Sequence, residues 1–188
     1  MLAPPRNERI VVTTDAIVEG VHFTRACSSP ADIGHKALAV NLSDLAAMGA
    51  TPRWALLSLV LPGSWLVSEV EDLVDGLAAL AAAHHVSVVG GNITRTDGPL
   101  VVDVTAGGDV RPRRWLTRSG ARPGDGIWVS GTVGSAAAGL EMLTAGMQHE
   151  AHGAACMARH RRPEPRVRLG MAIGRARAAT AAMDLSDG

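Results

Sequence analysis

Apolar and polar positions along the chain keep switching between a period of two and a period near three and a half, and each switch marks an element. Residues 8–14, ERIVVTT, form a short β-rich run and predict a strand. From Ala31 to Met48 the spacing turns helical, with Ser29-Pro30 suited to the entry and Gly49 to the exit. Residues 53–62, RWALLSLVLP, are again β-rich and end at a proline. Residues 68–85, SEVEDLVDGLAALAAAHH, predict an amphipathic helix. VSVVGG (86–91) predicts a short buried strand with a glycine stop, and PLVVDVTAGGDV (99–110) a further strand. GIWVSG (126–131) predicts one more, followed by a helix over SAAAGLEMLTAG (135–146). Residues 145–165 suit a polar helix or surface linker, and PEPRVRLGMAIGRARAA (163–179) a last helix. Strands that alternate with helices give an α/β (α+β) class, a mixed sheet with packed helices.

Composition narrows the function. Nearly half of the 188 residues are apolar, enough for a sizeable core. The formal net charge is zero, which removes the electrostatic footprint of a nucleic-acid binder. Trp54, Trp65, Trp115 and Trp128 are spread singly, so no aromatic stacking platform forms. Lys36 is the only lysine and follows His35, so no Walker-type phosphate loop exists. Neither GxGxxG nor GxSxG occurs. Gly131–Gly139 is a glycine-bounded turn that suits an anion or close helix packing equally well. Cys27 and Cys156 lack metal or redox spacing and read as free thiols. No apolar stretch reaches membrane-spanning length, and the expected setting is cytoplasmic. His149 and His152 could share a metal, but neither His160 nor any other residue supplies a third ligand at helical spacing. His84 and His85 fall at a helix end, where a cation suits the dipole.

Oxygen-bearing side chains gather in four places: Thr13, Thr14 and Asp15; Asn41 to Asp44, NLSD; Gly90 to Arg95, GGNITR; and Asp184 to Gly188, DLSDG. Asn41 and Asp44 share one helical face, and an aspartate inside an Ala/Leu-rich helix carries a cost. Mg²⁺ takes oxygen ligands, with one or two carboxylates beside phosphate oxygens and water. Caps and turns favour the same residue types, so spacing alone leaves both readings open.

TTDAIVEGVHF, KALAVNLSDLAAMGATP, VGGNITR, LTRSGARPGDGIWVSG and DLSDG together resemble the thiamine-monophosphate kinase family, in the superfamily of aminoimidazole ribonucleotide synthetase and selenide water dikinase. The resemblance runs in order along essentially the whole chain. It implies a domain whose strands pair across a homodimer, and phosphorylation of thiamine monophosphate by ATP with Mg²⁺. It implies Mg²⁺ ligands at Thr13, Thr14, Asp15, Asp44, Asn92, Asp184 and Asp187. It places ATP at Gly91, Asn92, Arg118 and Ser186, and thiamine monophosphate at His22.

Asn92 departs from the family's usual Gly-Gly-Asp; an amide offers a carbonyl oxygen to Mg²⁺ but not a full charge. The family also has a GDD-type acidic loop before the first strand here, and a second domain beyond DLSDG. The expectation is therefore an ATP- and Mg-binding amino-terminal domain over 1–145, and over 146–188 a linker with the start of a truncated carboxy-terminal domain. Such a chain, a gene fragment or shortened form, is expected to turn over slowly or not at all. The alternatives are another ATP-dependent superfamily member, of selenophosphate synthetase or hydrogenase maturation type, or a dimerising remnant without catalysis.

Overall fold

The computed structural model describes residues 6–147 and 151–186. Four strands form one mixed sheet in the order β1-β4-β2-β3: β1 is Arg9–Val18, β2 Thr51–Pro62, β3 Ser87–Thr96 and β4 Val101–Val110. β4 runs antiparallel to both β1 and β2, while β3 lies parallel to β2 at the other edge. The parallel pair needs a crossover, and α2 (Val67–Ala83) supplies it.

The register sets rows across the sheet. Asp15, Val104, Leu57 and Gly91 share one row, and Ala16, Asp103, Ser58 and Asn92 the next. At roughly 4.8 Å per strand, Asp15 and Gly91 are about 14 Å apart along their row.

Helix α1 (Pro30–Ala47) begins with a reciprocal cap: Ser29 Oγ accepts from the Asp32 N–H, and Asp32 accepts from the Ser29 N–H. Its Leu38, Leu42 and Leu45 are fully buried with Val102 and Val104 of β4, Leu59 of β2 and Leu73 and Leu77 of α2. The two helices cross closely because both carry glycine at the contact. A Cβ on Gly34 would lie 1.9 Å from the Leu73 carbonyl oxygen, and one on Gly76 2.1 Å from that of Ala31. Helices α3 (Ser135–Thr144), α4 (Ala154–Arg161) and α5 (Val167–Ala176) follow; α3 packs on α4, and α5 returns to α1.

Three expectations need correction. GIWVSG is not a strand: no described strand pairs with it, and Ile127 and Trp128 stand 96% and 93% exposed. β-propensity describes a half-buried pleated surface, and that segment has none here. The VSVVGG strand does not stop at its glycines and is not buried; β3 continues to Thr96, and Ser87 through Arg95 are exposed. β1 likewise runs on to Val18, so Thr13 to Asp15 lie inside it and not at its end. The polar segment proves to be a short 3-10 turn, Ala151–Gly153, followed by α4. Among the described residues no helix is long and apolar enough to cross a membrane.

Candidate metal and nucleotide site

The site starts at edge strand β1. Alternation sends neighbouring side chains to opposite faces. Thr13 Oγ1 donates to Asp44 Oδ2 at 2.5 Å, which joins β1 to α1. Thr14 bonds across the other face, donating to Asp103 Oδ1 at 3.2 Å and lying 3.1 Å from the Thr105 hydroxyl. Partial removal from water holds the Asp15 carboxyl above the ordinary carboxylate range. The charges of Asp44 and Asp184, and more weakly Asp103, push the same way, while His22 pulls it down. Asp15 thus lies within electrostatic reach of Asp44, Asp184 and His22, groups drawn from three separate motifs of the sequence.

This donor set fits a hard divalent cation. The groups are carboxylates and hydroxyls without thiols, and their mutual repulsion is what a bound cation would relieve. They do not form a closed cage: among the described residues no three His, Cys, Asp or Glu side chains meet at ligand distance. Mg²⁺ commonly completes its shell with phosphate oxygens and water, so an open arrangement suits it. Asn41, beside Asp44 on α1, is completely buried; its Nδ2 donates to the Ala37 carbonyl, and its Oδ1 has no hydrogen-bond partner.

His22 lies in the turn after β1. Its Nδ1 accepts from the Val18 N–H at 3.0 Å, so in the neutral ring the proton sits on Nε2. Arg118 is exposed in a 3-10 turn, Arg118–Gly120. That turn packs against the segment leading to Asp184: the Ala182 N–H donates to the Thr117 carbonyl, and a Cβ on Gly120 would lie 1.7 Å from the Thr180 oxygen. The LTRSG and DLSDG motifs are therefore neighbours. Ser186 donates to Asp184 at 2.9 Å. Asp187 falls outside the described residues.

Gly91 and Asn92 lie on β3, the edge opposite β1, and are not drawn into the carboxylate group. Gly91 has a structural reason of its own, since a Cβ there would lie 1.7 Å from the Leu57 carbonyl oxygen of β2. The missed participant is Asp103. In VVDVTAG it looks like an ordinary outward position; its signal was an aspartate, a poor strand former, in mid-strand.

Of the other expectations, Cys27 and Cys156 are free thiols, Cys27 buried. His149 lies outside the described residues, so the His149–His152 pairing stays unassigned. His84 does end α2, but as a poor cation: burial, then His35, push its pKa down. Burial likewise pushes His160 down, followed by the charges of Lys36 and Arg161.

Residues 1–110 match the family described as AIR synthase related protein, N-terminal domain, and the chain belongs to that family. Within it, the similarity is to thiamine-monophosphate kinases. The Escherichia coli (strain K12) thiamine-monophosphate kinase is 44% identical over 193 residues, covering 100% of this chain and 57% of its own length. The crystal structure of thiamine-monophosphate kinase from Stenotrophomonas maltophilia K279a superposes with a TM-score of 0.90 at 45% identity, covering 100% of this chain and 60% of that one. AaThiL, solved in complex with AMPPCP and TMP, gives a TM-score of 0.90 at 38% identity over 99% of this chain and 59% of its own. The chain thus spans a little over half the length of these relatives.

Proposed function

We propose that this chain forms the metal- and nucleotide-binding part of a kinase that transfers the γ-phosphoryl group of ATP to thiamine monophosphate. The carrying observation is that Asp44, Asp184 and His22 all lie within electrostatic reach of Asp15, on a chain 44–45% identical over its whole span to named thiamine-monophosphate kinases. A phosphate oxygen of thiamine monophosphate bonds to the γ-phosphorus as the bond to the bridging oxygen breaks. ADP leaves with that oxygen, and thiamine diphosphate forms. No residue has to act as a covalent nucleophile. The work is positioning and charge neutralisation.

Thr13, Asp15, Asp44 and Asp184 would hold Mg²⁺, with Asp187 and Asn92 as further ligands; the Thr14 hydroxyl lies on the other face of the sheet, with Asp103. The ion supplies charge neutralisation between the two reacting phosphates. The residues themselves do the rest. Thr13 orients Asp44 with its hydroxyl. His22 offers Nε2–H toward the substrate. Arg118, Ser186, Gly91 and Asn92 serve the nucleotide.

Two distant edges of one sheet serving one nucleotide is best met by a second copy. Ile10, Val12 and Leu56 are exposed on the sheet face away from α1 and α2, an apolar surface that suits a homodimer. Residues 146–188 are read as the linker and the start of a second domain. Two free thiols suit a reducing, cytoplasmic setting.

The test is calorimetry of Mg·ATP with the chain and its variants. Asp44→Asn and Asp15→Asn each weaken binding by about tenfold or more, as expected when a charge-assisted contact is lost. Parent-like affinity in both variants would remove the assignment. In a coupled ADP-release assay on the chain extended by the upstream acidic loop and the downstream domain, His22→Ala raises KM for thiamine monophosphate more than for ATP.

A further inference from the structure

Lys36 is the chain's only lysine, and α1 buries it; the residue is 9% exposed. Its neighbours on the helix are apolar: Ile33, Ala37 and Leu38 are buried in the core. An ammonium taken out of water costs stability unless it is hydrogen-bonded. A methionine would fill similar space without that cost. Among the described residues, the only hydrogen bond Nζ makes is to the backbone carbonyl of His22, at 3.5 Å. Burial pushes its pKa down, and Asp32 and then Cys27 only partly oppose this.

The turn that carries His22 is otherwise tied to the sheet. Glu19 N–H donates to Leu100 of the segment entering β4, Gly20 N–H to Phe23, and the Val21 and His22 N–H groups to Val18. The Lys36 contact is the one hydrogen bond among the described residues that joins this turn to α1. α1 also carries Asp44, eight residues on and about 12 Å along the axis. We propose that Lys36 is a positioning residue that holds the His22 turn at a fixed place on the helix presenting Asp44. The consequence for substrate rests on the reading of His22 given above. One helix then fixes the spacing between the metal-facing carboxylate and the substrate-facing imidazole.

The experiment uses the 188-residue chain and Lys36→Met, with Lys36→Gln as a second variant that keeps an N–H donor. Amide hydrogen exchange is followed by NMR, and the His22 ring nitrogens by their ¹⁵N shifts. A charged donor's bond is worth roughly tenfold in a local equilibrium. In Lys36→Met the Val21 and His22 amides exchange about tenfold faster and the ring loses its single tautomer, while Leu42 and Leu45 exchange as in the parent. Lys36→Gln recovers part of the protection. Affinity for thiamine monophosphate falls about tenfold and that for Mg·ATP holds. Unchanged His22 exchange in a folded variant overturns the proposal. So does loss of fold in both variants by circular dichroism, which would assign Lys36 to the core. Faster exchange with unchanged affinity for thiamine monophosphate upholds the positioning role and fails only the substrate reading of His22.

Discussion

Residues 9–110 and residues 111–186 place functional groups by different means. In the first stretch, burial does it: α1 is locked onto the sheet by Leu38, Leu42 and Leu45, all without exposed surface, and Asp44 inherits that rigidity. In the second, single polar contacts do it. Arg162 reaches Asp32 at 2.5 Å, His35 Nε2 lies 3.0 Å from the Pro163 carbonyl oxygen, and Thr180 donates to Asp125 at 2.6 Å. Its apolar groups remain largely outside, Met183 and Leu185 beside Asp184 included. The difference teaches that Asp15 and Asp44 are prepositioned, whereas Arg118, Asp184 and Ser186 hang from a few tethers.

The largest effect that would break this contrast lies in the core. Leu42→Ala should cost about 2–5 kcal/mol in urea unfolding, the range for a buried leucine that leaves a cavity; a cost near zero would mean that α1 does not anchor the site. An intermediate effect concerns Asp15. Its folded pKa is raised, so the stability linked to its proton is fully present below the ordinary aspartate value of about 3.9 and is lost as pH rises through the raised value. In Mg²⁺-free buffer, Asp15→Asn should therefore gain on the parent as pH climbs toward neutrality and match it in acid. Added Mg²⁺ should stabilise the parent more than the variant. A pH-independent difference between the two would show that Asp15 does not feel its acidic neighbours. The smallest effect belongs to Trp128. Its truncation to alanine should change stability by no more than about 0.5 kcal/mol, as for surface positions without partners; a larger loss would show that the second stretch has a core of its own around it.

Much of the first stretch was legible because its local signals agree. Ser29 and Pro30 announce α1, and Gly49 (φ +67°) ends it as expected. The NLSD aspartate stood out by its cost within that helix. The legible signals fail where the outcome depends on a neighbour. GIWVSG has the composition of a strand, but a strand needs a partner, and composition does not supply one. Gly90 and Gly91 read as a stop, yet Gly91 is there to let β2 come close, and the strand runs on. Asp103 carried only the weak signal of an aspartate in mid-strand, and the register is what sets it beside Thr14 and near Asp15. Lys36 was noted only for what it excluded, a phosphate loop; its contact with the His22 turn depends on tertiary approach.

The glycine crossing of α1 and α2 works like a fulcrum. Gly34 lies ten residues before Asp44, about 15 Å along the helix. A methyl group at Gly34 would meet backbone and not a movable side chain. The helix would have to tilt or lift, and a small displacement at the pivot would be carried along a stiff rod to its far end. Lys36, close to the pivot, would move little; Asp44, far from it, would move most. A single added carbon could thus change the gap between the two working ends of α1 while leaving every acidic group chemically intact.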